Sequence, residues 1–282
     1  MTIQEVLVKA RVILKASKYN SLEAEVILGN ILNKERVYLH INSDIELKKN
    51  EENRFFKELQ ELKEGKPLQY ITGQTNWQGL DFYCNESTLI PREDTRILYE
   101  EATELIKLMG EKTVKLVEIG TGSGILPVLL KKENPTVQVY TVEKNPVTLE
   151  TARKNFQKHK VEVESYLGDL LEPIKERGLK AEIIISNPPY VSHKEYLELD
   201  KEVKNEPYEA LVGGADGLDF YRRIGREYKY VLNKGGYLAV EIGWQQFEAV
   251  KEIFEKCGLT LIKKAVDDGG RDRVVVLEYK DK

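Results

Sequence analysis

Val114-Lys115-Leu116-Val117-Glu118-Ile119-Gly120-Thr121-Gly122-Ser123-Gly124-Ile125-Leu126-Pro127-Val128-Leu129-Leu130 decides the fold of this chain. A short apolar, β-branched run through Ile119 reads as a buried strand, the glycines as a tight turn, and the apolar run after Gly124 as a helix. Downstream the alternation continues. Val137–Val142, Val161–Tyr166 and Ile183–Ser186 read as strands, and Val147–Lys158 as a helix with Asn145 as its cap and Pro146 at its first position. Gly236–Ile242, Leu259–Val266 and Arg273–Tyr279 add three further strands. Such alternation predicts a mostly parallel sheet covered on both faces, with ligands bound outside the carboxyl ends of its strands.

Upstream the pattern differs. A helix is predicted from about Thr95 to Leu108, closed by Gly110. Between Gln69 and Ile90, Trp77, Leu80, Phe82 and Tyr83 around Gly79 predict a short hairpin serving as a linker. Roughly the first 65 residues read as helical throughout. Thr2-Ile3-Gln4-Glu5 fits a capping box before Ile3, Val6, Leu7, Ala10 and Leu14, which share one helical face. Ser21 is the expected cap of a second helix carrying Ile27, Leu28, Ile31 and Leu32, and a third carries Phe55, Phe56, Leu59 and Leu62 before Gly65 and Pro67 stop it. With no catalytic constellation of its own, this helical domain is expected to be a docking module, followed by the linker over 69–90 and the α/β domain over 91–282.

The 282 residues, with 43 Lys+Arg against 47 Asp+Glu and a net charge of −4, exclude a protein that mainly coats nucleic acid. Met1–Glu5 shows neither a basic n-region nor an apolar h-region, and no apolar run approaches the ~20 residues of a membrane span. A cytoplasmic monomer without membrane contact is the expectation. Cys84, Cys257, His40, His159 and His193 are too few and too scattered for a disulfide framework or a zinc cluster, so no metal is expected.

The chemistry concentrates where predicted strands end. Gly120, Gly122 and Gly124, with Thr121 and Ser123 between them, let a ligand approach the backbone, although a glycine loop alone can be a mere turn. A dinucleotide fingerprint would place glycine or alanine at Ile125, which disfavours a nicotinamide dehydrogenase. Glu143 ends the second strand, where a carboxylate either accepts two ribose hydroxyls or is simply a solvated acid. After the third strand, Asp169 either accepts an adenine amine or caps a helix. Loop and acids together after three successive strands point to an adenosine site.

The fourth strand runs into Asn187-Pro188-Pro189-Tyr190. Such a tetrapeptide can be a stiff turn, but beside an adenosine pocket it supplies what group transfer to a planar nitrogen requires. Asn187 offers a side-chain carbonyl, and Pro188 a backbone carbonyl whose direction is fixed by restricted dihedrals on both sides. Tyr190 offers a ring on which a flat amide or base stacks. Two acceptors gripping the N–H bonds of an NH2 group orient its nitrogen for attack.

Glu118–Gly124 with Asn187–Tyr190 resembles the class I S-adenosylmethionine-dependent methyltransferases that modify amide or exocyclic amine nitrogens. Pro67–Gly73, Leu89-Ile90-Pro91-Arg92, Glu206-Pro207 with Ala210-Leu211, Gly213–Leu218, Glu241-Ile242-Gly243 with Gln246, and Asp272-Arg273-Val274 narrow the resemblance to the release factor glutamine methyltransferases, along essentially the whole chain. The resemblance implies a Rossmann-like sheet of about seven strands with a helical N-terminal domain. It also implies S-adenosylmethionine as methyl donor, S-adenosylhomocysteine as product, and the glutamine of a Gly-Gly-Gln motif in class-1 peptide chain release factors as acceptor. The site it implies has Asn187, Pro188 and Tyr190 as catalytic groups, with Pro189 completing the substrate contact. Gly120–Gly124, Glu143, Asp169, Leu170 and Asn187 would hold the cofactor. The chain departs from the family in Glu93-Asp94-Thr95-Arg96, where Pro-Glu-Thr-Glu is usual, and in Leu170, where some members carry Trp and the adenine would here rest on an aliphatic surface. Two rival readings are an adenine-N6 methyltransferase of DNA or RNA, disfavoured by the negative charge, and a non-catalytic cofactor-binding scaffold, which would have no use for two converging acceptors.

Overall fold

The structure is a computed structural model and describes residues 1–15, 17–110 and 113–280. It divides into two compact units, Met1–Gln74 with Asp200–Asn205, and Thr75–Leu199 with Glu206–Lys282. No described helix is long and apolar enough to cross a membrane.

In the first unit the helix Ile3–Leu14 buries Ile3, Val6, Leu7, Ala10 and Leu14, the face anticipated from its spacing. Thr2 and Glu5 close a reciprocal capping box, with Glu5 N–H donating to Thr2 Oγ1 at 3.2 Å and Thr2 N–H to Glu5 Oε2 at 3.0 Å. The second helix, Ser21–Leu32, is capped by Asn20 rather than Ser21. Asn20 holds the extended backbone a cap requires, and its side chain accepts from Leu22 N–H at 2.7 Å. The helix Lys49–Lys63 buries Phe55, Leu59 and Leu62 against these two, leaving Phe56 half-buried. Two short helices, Arg36–Ile41 and Leu68–Thr72, escaped the sequence reading because so few residues cannot display a 3.6-residue period.

Next along the chain come strands β1 (Gln74–Trp77) and β2 (Leu80–Tyr83). Gln78 and Gly79 join them with φ of +48° and +76°, the paired left-handed conformation of a tight hairpin turn. The sheet follows as β3 (Lys115–Ile119), β4 (Gln138–Glu143), β5 (Glu164–Leu167), β6 (Ala181–Ser186), β7 (Leu232–Glu241), β8 (Thr260–Val266) and β9 (Asp272–Glu278). Its seven strands lie in the order β5-β4-β3-β6-β7-β9-β8, the α/β architecture anticipated. The first five are parallel, while β9 runs antiparallel between β7 and β8. Strand β5 begins later than predicted. Lys160, at φ +55°, ends the preceding helix, and residues 161–163 are used in returning to the sheet edge.

Both faces of the sheet are covered. Leu116, Val139, Ile183 and Ile185 enter one apolar cluster, and Val117, Ile119, Val142 and Ile184 the opposite one, as period-two alternation demands. Each such buried side chain contributes roughly 1.5–3 kcal/mol. Chain connections leave β3 toward β4 and β6 toward β7, so the strand order reverses between β3 and β6. At that reversal Ile119 pairs with Ser186, which sets the loops beginning at Gly120 and Asn187 side by side.

Candidate active site

Gly120, Gly122 and Gly124 have φ of +76°, +55° and +81°, which only glycine adopts freely. A Cβ on Gly120 or Gly122 would meet nothing within 4 Å, so open space faces the backbone there, whereas one on Gly124 would lie 2.7 Å from the Phe156 ring. The loop's side chains turn inward. Thr121 and Ser123 are buried, and Thr121 Oγ1 donates to Glu118 Oε2 at 2.7 Å, joined by Thr141 Oγ1 at 3.0 Å. Burial drives the Glu118 carboxyl up to about 8, against the pull of these two hydroxyls and with the charge of Glu143 adding to the rise.

Glu143 ties strand β4 to the glycine loop. Its Oε2 accepts from Gly122 N–H at 3.2 Å and its Oε1 from Asn145 N–H at 2.9 Å, while burial still raises its pKa. Gly168 N–H donates to Glu143 O at 3.0 Å, which brings Asp169 next to it. Asp169 caps no helix with its side chain, since the helix Glu172–Glu176 starts from Leu171 without a side-chain cap. Its Oδ2 meets Arg223 Nη2 at 2.8 Å and Lys144 Nζ at 3.6 Å. Burial pushes its pKa up, but the two cations prevail and hold it below the ordinary value. Leu170, buried, carries φ +48°, a strained conformation for a bulky residue and one that clusters at ligand sites.

Across the reversal, Ser186 Oγ donates to Ile119 O at 2.9 Å and locks the two strand ends together. Asn187 is half-buried, and its Nδ2 donates to Thr95 Oγ1 at 3.1 Å. Pro188 is buried, Pro189 half-buried. Gln246 Nε2 donates to Tyr190 O at 2.9 Å, and Tyr190 OH lies 3.4 Å from Glu241 Oε1. Burial raises the Tyr190 phenol, which therefore stays neutral. The Gly213–Leu218 run supports the tetrapeptide through its glycines. A Cβ on Gly213 would lie 2.3 Å from Pro189 O and one on Gly217 2.2 Å from Tyr190 O, so only glycine permits this backbone contact.

Thr95, Glu241 and Gln246 were not singled out as site residues, yet they surround the tetrapeptide. For Glu241 and Gln246 a signal existed in the run Glu241-Ile242-Gly243 with Gln246; Thr95, the last residue of the 3-10 turn Glu93–Thr95, lies 92 positions before Asn187. Burial lifts Glu241 to about 7, opposed by Thr95, Arg273 and Tyr190 and assisted by Asp94. None of the histidines joins the strand-end cluster through its side chain. His40 meets Glu25, His159 packs on Phe82 beside Asp81 O, and His193 is exposed at the start of the helix His193–Glu198.

Two family models match the chain, Methyltransferase small domain over residues 99–215 and PrmC N-terminal domain over residues 5–73. A release factor glutamine methyltransferase of Clostridium acetobutylicum is 37% identical to it over 98% of both chains. Another, from Bacillus anthracis, is 36% identical over 99% of this chain and 100% of its own. A solved methyltransferase from Pyrococcus furiosus shares the fold at a TM-score of 0.54 and 19% identity, over 82% of this chain and 99% of that one.

Proposed function

The chain belongs to the release factor glutamine methyltransferases, and from that premise we propose how its residues divide the reaction. It methylates the side-chain amide nitrogen of the glutamine in the Gly-Gly-Gln motif of class-1 peptide chain release factors, using S-adenosylmethionine. The observation that carries this reading is the pairing of Ile119 with Ser186, which puts an open glycine loop and a two-acceptor turn at one strand reversal. The residues fit the donor. Open space faces Gly120 and Gly122, Glu143 has an acceptor-only carboxylate for ribose hydroxyls, and Asp169 retains acceptor capacity for an adenine amine, because an ionised carboxyl offers about four lone-pair sites. Buried Leu170 forms the aliphatic floor for the base, with Thr121 and Ser123 shaping the loop.

When bound, S-adenosylmethionine supplies a methyl group activated by its sulfonium. The protein supplies orientation. Asn187 Oδ1 and Pro188 O accept the two N–H bonds of the substrate amide, while Pro189 stiffens the turn and Tyr190 stacks on the amide plane. An amide nitrogen is a weak nucleophile, so fixed geometry and preorganised acceptors carry the acceleration, for which effective molarity supplies up to ~7–11 kcal/mol. A strong general base is unnecessary because the alkylated nitrogen is acidic enough to lose its proton to water. Residues 1–68 dock the release factor, 69–90 link, and 91–282 catalyse, in a cytoplasmic monomer that takes no nucleic-acid substrate and no metal.

The test is incubation of the enzyme and cofactor with a class-1 release factor, and in parallel with duplex DNA, followed by peptide mapping by mass spectrometry. One methyl group on one glutamine of the release factor is expected, with DNA unmodified. Modified DNA beside an unmodified release factor would overturn the reading.

A further inference from the structure

The helix Pro146–His159 carries three buried polar residues, Thr148, Thr151 and Asn155, at a spacing that puts them on one face. Each bonds to the segment that ends β2 and follows it. Thr148 Oγ1 donates to Ser87 O at 2.6 Å, and Thr151 Oγ1 accepts from Asn85 Nδ2 at 2.8 Å. Asn155 Oδ1 accepts from Tyr83 N–H at 2.8 Å, and its Nδ2 donates to Tyr83 O at 2.9 Å. Of the three, Asn155 also reaches the glycine loop, where Nδ2 donates to Ser123 O at 2.8 Å. Its amide has one workable orientation, because turning it over would set its oxygen against two carbonyl oxygens and its NH2 against an N–H. Pro127 stands four residues beyond Ser123 and has no N–H to offer that carbonyl, so Asn155 supplies the bond instead.

Three glycines leave residues 120–124 with little conformational preference of their own, so the groups around them set the loop's shape. Glu143 takes Gly122 N–H at 3.2 Å, Glu118 takes the Thr121 hydroxyl at 2.7 Å, and Asn155 holds Ser123 O. The same helix packs on the end of the loop, where a Cβ on Gly124 would lie 2.7 Å from Phe156 and 3.3 Å from Ala152. We propose that Asn155 is a positioning residue for the methyl donor: its bond to Ser123 O holds the glycine loop in its donor-binding shape, and its two bonds to the Tyr83 backbone tie that shape to the hairpin. This rests on the donor site proposed above. Asn155 is fully buried and uses both of its N–H bonds and its oxygen, so no water substitutes for it in the intact protein. A preorganised loop binds with less ordering cost than a loose one. Loss of the Ser123 bond therefore weakens donor binding and leaves methyl transfer from the bound donor nearly as fast.

Asn155→Ala should raise the Kd for S-adenosylmethionine, measured by calorimetry, at least ~10-fold, with kcat at saturating donor and release factor within ~3-fold of wild type. Thr151→Val separates positioning from stability, because it breaks the bond to Asn85 on the same helix face without touching the glycine loop. Its melting temperature should fall while its Kd for the donor stays within ~2-fold of wild type. Should Asn155→Ala not fold, Asn155→Asp keeps the shape but sets a carboxylate against two carbonyl oxygens. A protonated acid donates to one of them again, so donor binding by that variant should tighten relative to wild type as pH falls. A wild-type Kd in Asn155→Ala, or equal weakening in Asn155→Ala and Thr151→Val, would overturn the proposal, as would an Asn155→Asp variant whose affinity follows the wild-type pH profile. The backbone 15N–1H signals of Gly122, Ser123 and Gly124 in the free protein give a readout without donor. They should shift in Asn155→Ala and stay in place in Thr151→Val; signals that move alike in both sink the positioning role. A wild-type protein that binds no S-adenosylmethionine sinks the donor-site reading instead, and the loop signals still decide what Asn155 holds.

Discussion

The loops that follow β3 and β6 lie side by side but are held in opposite ways. The polar partners of residues 120–124 come from Glu118, Val142, Glu143 and Asn155, all within the adjoining β3-to-β4 region and its following helix. The partners of residues 187–190 come from Thr95, 92 positions earlier, and from Glu241 and Gln246, 51 and 56 positions later, with Gly213 and Gly217 packed on the same backbone. The glycine loop is thus held locally, whereas the tetrapeptide is held by residues from across the domain. Substitutions far along the chain should reach methyl acceptance while leaving cofactor binding nearly intact.

The largest effect that would sharpen this contrast is expected from Asn187→Ala. Losing one oriented acceptor should lower kcat at least ~100-fold, and by far more than it weakens S-adenosylmethionine binding measured by calorimetry. Parallel losses in both would erase the distinction between the two loops. Next, Gly124→Ala forces φ of +81° on an L-residue and drives its Cβ to 2.7 Å from Phe156. A stability loss of ~1–3 kcal/mol is expected in thermal melts, with weaker cofactor binding and surviving turnover at saturation. Unchanged melting would show that the loop is not rigidly packed.

Glu118 tests the donor side by pH. Its folded pKa of about 8 lies above the ordinary 4.5, so between those values the folded state holds a proton that the unfolded state has lost. Its contribution is fully present below pH 4.5 and is lost as pH rises toward 8, at up to ~1.4 kcal/mol per pH unit. Melts of Glu118→Gln from pH 5 to 8 should lack that decline, and identical slopes in the two proteins would exclude the buried proton. The smallest effect belongs to Gln246→Ala, which removes the donor to Tyr190 O and the acceptor for Gly243 N–H, at 2.9 and 3.0 Å. About 1 kcal/mol of stability and a few-fold in kcat should go, with cofactor affinity unmoved.

Legibility followed the same division. The capping box at Thr2, the buried face from Ile3 to Leu14, the seven strands and the glycine loop were readable because each rests on neighbours a few residues apart. The cap at Asn20 was misassigned by one position because Asn and Ser are both good caps and only the backbone angles distinguish them. The antiparallel insertion of β9 between β7 and β8 had no local signature, since Val274–Leu277, buried in the sheet, reads alike in either direction. Arg273 shows the same limit. It occurs in a recognisable Asp-Arg-Val run, but its partners Asp94 and Asp267 meet it only once β9 is in place.

By itself the sequence determined the order of elements, the positive-φ turns and the residue types at each strand end, because periodicity and steric allowance act over a few residues. Which of those ends face one another, which way the Asn187 amide points and how hard Glu118 and Glu241 hold their protons were decided only by the tertiary structure. Hydrogen-bond partnership and desolvation depend on distances in space, and a sheet brings together groups that the chain keeps far apart.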